Sequence, residues 1–391
     1  MNNSARTSGV GLRALAVSAP EQILGNEHWR QGHPDLVARA EERIWMWKPP
    51  QRPEEWSEGS ERFNRAMAPY VHDPFRGARQ RRRLPAGGTA LDLELAAARD
   101  ALDAAGVPAR DVDLLICTSF LPDAAGIGGA AFLARDLGLT GAAWNLETAC
   151  SSALVGLRTA CGLIRAGQHR TALVVTSCTY SRVAPDDDPI SWGVGDAATA
   201  MLVGAVGPDE GLLGGASVHS AETCGAVAYE VEVDPSDGPR HRLHVGRDGA
   251  RLLRETSEPY LLRCTQHALD EAGLVLDDID FFVFNTPLAW YASFCAETLG
   301  IDAARTLSVY PLYANVGPAL TGVNLFHAAA WDRIRRGDRV LVYSVGSVSS
   351  CAAVVLGWGG VALGPAPFGA TEAALEALES SSAASAPSAR A

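Results

Sequence analysis

The feature that most constrains this chain is that it carries one pattern twice. Ala101-Leu-Asp-Ala-Ala-Gly106, followed by Asp111-Val-Asp-Leu-Leu-Ile116, returns 167 residues later as Ala268-Leu-Asp-Glu-Ala-Gly273, followed by Asp278-Ile-Asp-Phe-Phe-Val283. In each copy, apolar positions three and four apart predict a helix that stops at a glycine. A short turn then leads into a wholly apolar run, the pattern of a strand buried on both faces. The match stays collinear further on. Ser152-Ala-Leu-Val-Gly156 pairs with Pro318-Ala-Leu-Thr-Gly322, and Ile164-Arg-Ala-Gly167 before Ala172-Leu-Val-Val175 pairs with Ile334-Arg-Arg-Gly337 before Val340-Leu-Val-Tyr343. The period is too long for a solenoid, so the expectation is two homologous α/β halves, each with a buried sheet and helices packed on it. Their bounds are read as 1–205, with the repeat proper beginning near residue 9, and 206–360.

Two segments have no counterpart. Residues 30–90 interrupt the first half with Trp45, Trp47 and Trp56 among Pro49, Pro50 and Pro53; they read either as a lid or tunnel insertion or as a surface excursion. Residues 361–391 end in Glu379-Ser-Ser-Ser-Ala-Ala-Ser-Ala-Pro, which has little to bury, and are expected to form a flexible tail with at most a short helix over 371–378.

Charge and cysteine usage exclude several classes of function. A formal net charge of −12 repels a phosphate backbone, and the one dense basic run is Arg79–Arg83, so nucleic acid is not an expected partner. No apolar run approaches the length of a bilayer span, and residues 1–11 lack an apolar segment behind a basic leader; the expected location is cytoplasmic. The eight cysteines include no Cys-x-x-Cys pair and no zinc-like spacing to histidine, so neither a metal site nor a disulfide framework is expected. Lys48 is the one lysine, which removes most Schiff-base and phosphate-loop chemistry.

One cysteine differs from the rest. Strand-like Ala142-Ala-Trp-Asn-Leu146 leads through Glu147-Thr-Ala to Cys150, and a helix with leucines at 154, 157 and 163 follows. A thiol at such a strand-to-helix turn meets the helix dipole and unpaired N–H groups, which favour the thiolate. Those N–H groups can also receive the oxyanion of a tetrahedral intermediate. Ser151 and Ser152 are read as helix-start residues. Glu147 is a candidate base, weighed against a reading as a helix-start or interface carboxylate.

Glu147-Thr-Ala-Cys-Ser-Ser-Ala153, Ala172-Leu-Val-Val-Thr-Ser177 and Gly193-Val-Gly-Asp-Ala-Ala-Thr-Ala-Met-Leu202, in this order, resemble the ketoacyl-acyl carrier protein synthase III group of the thiolase superfamily over roughly residues 85–358. The resemblance implies a five-layered αβαβα sandwich of two duplicated halves, assembled as a homodimer. It also implies that Cys150 is acylated and that Asn315, in Tyr313-Ala-Asn-Val-Gly317, binds an incoming thioester. Where the family carries histidine after its Asp-Ile-Asp strand, this chain has Asn285; a carboxamide can hold an oxyanion but cannot take a proton. In the family's final glycine-rich turn, read here as Val345–Ser350, Gly346 is kept and implies a backbone oxyanion donor. For the arginine run, a solvated loop competes with a contact to the phosphates of coenzyme A or of a carrier arm.

These readings converge on an acyltransferase that loads an acyl group from an acyl carrier protein or coenzyme A thioester onto Cys150 and passes it to a second substrate. The expected setting is polyketide or other secondary metabolism, with fatty-acid synthesis as the family's base case. The thioester is substrate and no cofactor is expected. Two alternatives stand beside this: a non-catalytic or regulatory subunit of a ketosynthase heterodimer, which loss of the histidine would suit, and a thioester hydrolase.

Overall fold

The computed structural model describes residues 9–46, 58–124, 126–220, 223–234, 238–246, 248–346 and 350–384. Trp47 and Trp56, with the three prolines between them, lie outside these residues.

The first half opens with strand β1 (Gly9–Ser18), the short β2 (Ile23–Gly25) and helices α1 (Glu27–Gly32), α2 (Pro34–Met46) and α3 (Glu58–Met67). It continues through β3 (Gln80–Arg82), α4 (Ala90–Ala105), β4 (Leu114–Ser119), α5 (Gly129–Leu137), β5 (Ala142–Asn145), α6 (Ser152–Arg165), β6 (Ala172–Thr179) and β7 (Asp196–Val206). The second half holds β8 (Gly211–His219), the hairpin β9 (Val227–Asp234) and β10 (Gly238–Val245), α7 (Gly249–Ala272), β11 (Phe281–Phe284), α8 (Tyr291–Leu299), α9 (Tyr310–Tyr313) and α10 (Leu320–Ala330). Strands β12 (Arg339–Gly346), β13 (Ser350–Gly357) and β14 (Ala362–Leu363) and helix α11 (Glu372–Ala384) close the chain.

The duplicated pattern becomes two sheets. One has the order β14-β1-β7-β6-β4-β5 and the other β11-β12-β13-β8. The repeated helices α4 and α7 end at Gly106 and Gly273, both left-handed, at φ 62° and 66°, where a side chain would be strained. The repeated apolar runs become β4 and β11, whose residues are buried but for Ser119 at the end of β4. Helices α6 and α10 touch both sheets, α4 and α5 cover the far face of the first, and α7 and α8 cover the far face of the second. Three apolar clusters fill the spaces between these five layers; the central one joins Leu154 and Leu157 of α6 to Val323 and Phe326 of α10. The architecture is the expected αβαβα sandwich.

The tail is a correction. Between 361 and 384 the chain is built into the fold: β14 pairs in parallel with β1, Ala370 and Leu375 join the central core, and Arg333 meets Glu372 at 2.7 Å. The two-residue strand and the single buried leucine are too sparse to show as periodicity. In the 30–90 insertion, α3 packs on α7 and α8, with Phe63 against Phe294 and Trp290, and Trp29 packs on Phe75. The described part is therefore docked on the body. No helix among the described residues is long and apolar enough to cross a membrane.

Candidate active site

Cys150 sits two residues before α6, at the turn out of β5, and is 93% buried. The residue ahead of it, Ala149, is in the left-handed region at φ 53°, which costs a non-glycine residue of order 1 kcal/mol and persists only where surroundings hold it. Those surroundings are visible. Ala149 N–H donates to Glu147 Oε1 at 2.5 Å, Thr148 N–H donates to Ser152 Oγ at 2.8 Å, and Ser151 Oγ donates to Thr148 O at 2.7 Å. Ser151 and Ser152 are thus turn-forming residues. Glu147 is exposed as a residue, yet its carboxyl is folded inward against Ala149 and Ser152; burial of that carboxyl raises its pKa more than the two hydrogen bonds lower it. Its contacts give the helix-start reading a physical basis.

The second half grips this turn through two residues of β12 and the first of β13. Ser344 Oγ donates to Cys150 O at 2.8 Å. Gly346 packs so closely that a Cβ there would lie 2.9 Å from Thr148 O and 3.0 Å from Cys150 N. Ser350 Oγ donates to Thr148 O at 3.0 Å. Of the expected final turn, residues 347–349 lie outside the described residues. Ser344, in a largely apolar strand, gives no signal in the sequence of its hold on the nucleophile's carbonyl.

Asn285 follows β11 and is fully buried. Its main-chain N–H donates to Tyr343 O at 3.0 Å. Its side chain repeats the same pairing one step further: Nδ2 donates to Val345 O at 3.0 Å and Oδ1 accepts from Val345 N–H at 2.9 Å. The carboxamide therefore extends the parallel ladder between β11 and β12, and one N–H remains for any other partner. Asn285 and Cys150 are held by adjacent residues of one strand.

Asn315 is carried by a second left-handed alanine, Ala314 at φ 55°. Its backbone bridges the first half's glycine-aspartate segment: its N–H donates to Gly193 O and its carbonyl accepts from Gly195 N–H, both at 2.9 Å. Oδ1 accepts from Gly317 N–H at 2.8 Å, so the two Nδ2 hydrogens are what this half-buried side chain can offer. Cys178 packs against the Asn315 loop. A Cβ on Gly317 would meet its sulfur at 2.8 Å, and its thiol is pushed well above the ordinary range by burial, then by the fields of Asp196, Cys150 and Glu147. The structure thus brings Cys150, Gly346, Asn285 and Glu147 around the end of β12, while Asn315 is tied to the first half through Gly193 and Gly195.

The arginine run is a second correction. Arg81 and Arg82 are 2% and 0% exposed rather than solvated. Arg81 stacks over Trp29, 4.6 Å from its ring centre, and Arg82 over Tyr313 at 5.2 Å. Distant backbone carbonyls draw them inward; Arg82 Nη1 donates to Phe368 O at 2.7 Å.

A duplicated five-layer sandwich with a cysteine at the first half's helix tip is the thiolase fold. Within that fold, the chain is similar to the ketoacyl-acyl carrier protein synthase III group of acyl-transferring condensing enzymes. Residues 144–221 match the family model of 3-oxoacyl-[acyl-carrier-protein] synthase III, and residues 269–358 match the model of its C-terminal part. The β-ketoacyl-[acyl-carrier-protein] synthases III of Rhizobium johnstonii and Agrobacterium fabrum are each 28% identical over 286 residues, covering 72% of this chain and 88% of theirs. Among solved structures, the synthase III of Thermus thermophilus superposes with a TM-score of 0.72 at 24% identity, over 90% of this chain and 99% of its own. OleA from Xanthomonas campestris, in a form with histidine replaced by asparagine, gives 0.71 at 20% identity, over 90% and 98%.

Proposed function

We propose that Cys150 attacks the carbonyl of an acyl thioester, carried by an acyl carrier protein or coenzyme A, and passes the acyl group to a second substrate. The sulfur forms the new C–S bond, the carrier thiol leaves with a proton, and the tetrahedral oxyanion meets the N–H groups of Cys150 and Gly346. The observation that carries this reading is the contact between Gly346 and the Cys150 amide, which brings two halves' backbones to one point.

In the second step, the Asn315 Nδ2 group and the remaining Asn285 N–H are the donors available to an enolate oxygen. Neither side chain can act as a base, so the acceptor's nucleophile is supplied by loss of carbon dioxide or arrives already activated. This fits a carbon–carbon-forming role in polyketide or related secondary metabolism, in the cytoplasm. A homodimer is supported by β5: it forms the open edge of the first sheet, and all four of its residues, Trp144 among them, are exposed, an edge that needs covering.

Intact-mass measurement after incubation with a panel of acyl-coenzyme A and acyl-carrier thioesters tests the proposal. One acyl increment is expected, lost in Cys150→Ala. Absence of any adduct across the panel would sink it and favour the non-catalytic subunit; an adduct that decays without an acceptor would indicate the hydrolase.

A further inference from the structure

The insertion over residues 30–90 reaches the candidate site through β3, whose consecutive arginines are both buried. Side chains alternate along a strand, and the two arginines meet different neighbours. Arg82 lies over the ring of Tyr313, 5.2 Å from its centre, and is anchored by Pro20 O at 3.4 Å and Phe368 O at 2.7 Å. Arg81 stacks on Trp29 and donates from Nε to Trp192 O at 2.5 Å.

These contacts fall on the two flanks of Ala314. Tyr313 precedes it, and its phenol oxygen also hydrogen-bonds His327 Nε2 at 2.9 Å, so the ring is held at its face and at its tip. Asn315 follows it and donates its N–H to Gly193 O, the carbonyl next after the one that Arg81 holds. Between them Ala314 is at φ 55° and ψ −154°, a conformation that favours glycine and persists in another residue only where the surroundings fix it. The main chain closes the same figure. A Cβ on Gly195 would lie 2.5 Å from Tyr313 O and 3.3 Å from both N and O of Arg82, so the insertion, the glycine-aspartate segment and the Asn315 turn meet at one point.

We infer, on the reading of Asn315 as a donor in the second step, that Arg81 and Arg82 are positioning residues for its carboxamide. Neither touches substrate in this role. Arg82 acts through Tyr313, and Arg81 acts through the carbonyl of Trp192. Without them Ala314 is free to relax to the negative φ that its side chain prefers, which turns the next peptide and the Asn315 side chain. The Cys150 turn is held by Ser344, Gly346 and Ser350 instead, so the arginines should govern the acceptor step and not acylation.

Hydrogen–deuterium exchange of the full chain, read by mass spectrometry, tests the positioning. Arg82→Met and Arg81→Met are expected to lose protection at Asn315 and Gly195, while peptides over 147–155 exchange as in the parent. Leu133→Ala, a fully buried change in α5, controls for general loss of stability and should leave Asn315 protected. Kinetically, both arginine variants should load an acyl group at close to the parent rate. Single-turnover discharge to saturating malonyl-coenzyme A should fall by about 10²-fold, the effect of a misplacement of order 1 Å. Should Arg82→Met not fold, Arg82→Lys, which keeps the charge but not the planar fork, carries the comparison. Unchanged protection at Asn315 in the arginine variants, an equal loss in Leu133→Ala, or acylation and discharge slowed together would overturn the assignment. A parent that forms no adduct, or discharges none to malonyl-coenzyme A, counts instead against the acceptor-step reading of Asn315, and the exchange comparison still decides the positioning.

Discussion

The turn before α6 and the turn before α10 are the same device used for different chemistry. Each has an alanine at positive φ, Ala149 at φ 53° and Ala314 at φ 55°, immediately before a polar residue. One presents a sulfur and the other a carboxamide. The difference lies in who holds them. The Cys150 turn is gripped by Ser344, Gly346 and Ser350 of the second half, and the Asn315 turn by Gly193 and Gly195 of the first. A glycine marks the closest approach in both directions: a Cβ on Gly346 would be 3.0 Å from Cys150 N, and one on Gly195 would be 2.5 Å from Tyr313 O. Each half therefore fixes the other's reactive residue, and neither half alone could assemble the site.

That reciprocity can be broken one side at a time. Gly346→Ala pushes on the Cys150 amide and is expected to slow acylation by about 10²–10³-fold, the effect of losing one oxyanion donor. Gly195→Ala pushes on the Asn315 side instead, so acylation should survive within a few-fold while transfer to the acceptor falls. Single-turnover mass spectrometry separates the two steps; equal losses of acylation in both variants would show that the turns are not independently held.

Asn285→Asp breaks the ladder that joins the halves. An aspartate oxygen can still accept from Val345 N–H, but the other would face Val345 O, leaving a buried charge opposed by a carbonyl. The expected loss is about 3 kcal/mol in denaturant unfolding. Asn285→His is the informative partner to this variant. It restores a base at that position, and a gain of malonyl decarboxylation would mark the position as deciding reaction type.

How much of this could be read from the chain follows from where the signals lie. The two halves and the Cys150 turn are legible because they rest on local patterns: a helix ending at glycine, an apolar strand, a cysteine at a strand-to-helix junction. The use of Asn285 as a ladder residue is not, because its partner Val345 is 60 residues away and nothing local names it. The burial of Arg81 and Arg82 is hidden for the same reason, since their acceptors Trp192 and Phe368 come from remote loops, and a run of arginines reads as solvated until those carbonyls are known. Leu375 is masked by the small residues around it, although it is 96% buried.

The halves also bury opposite titrating groups, which gives a pH test of the same comparison. In the first half Glu94 is 1% exposed and accepts from Ser119 and from Ser177 at 2.6 Å; burial still raises its pKa above 4.5. Its contribution is full below 4.5 and is lost as pH rises through the raised value. In the second half His327, bonded to Tyr313 at 2.9 Å, is lowered to about 3 by burial and then by the nearby Arg82 charge. Its contribution is full above 6.5 and is lost as pH falls from 6.5 towards 3. Melting curves should therefore flatten on the acid side in His327→Gln and on the neutral side in Glu94→Gln. Unchanged slopes in both would mean that neither group titrates with folding.

The smallest expected effect probes the alanines themselves. Ala149→Gly and Ala314→Gly remove a left-handed strain of order 1 kcal/mol from the folded state but add freedom to the unfolded chain, worth about 0.4–1 kcal/mol the other way. The two terms nearly cancel, so each variant should melt within a few degrees of the parent. The acylation rate is the more telling readout. If the strain at Ala149 is needed to point the sulfur, Ala149→Gly slows acylation while Ala314→Gly leaves it alone and weakens only the acceptor step. If the grip of Ser344 and Gly346 suffices to aim Cys150, neither rate changes, and the left-handed alanines are a consequence of the reciprocal packing rather than a cause of the site's geometry.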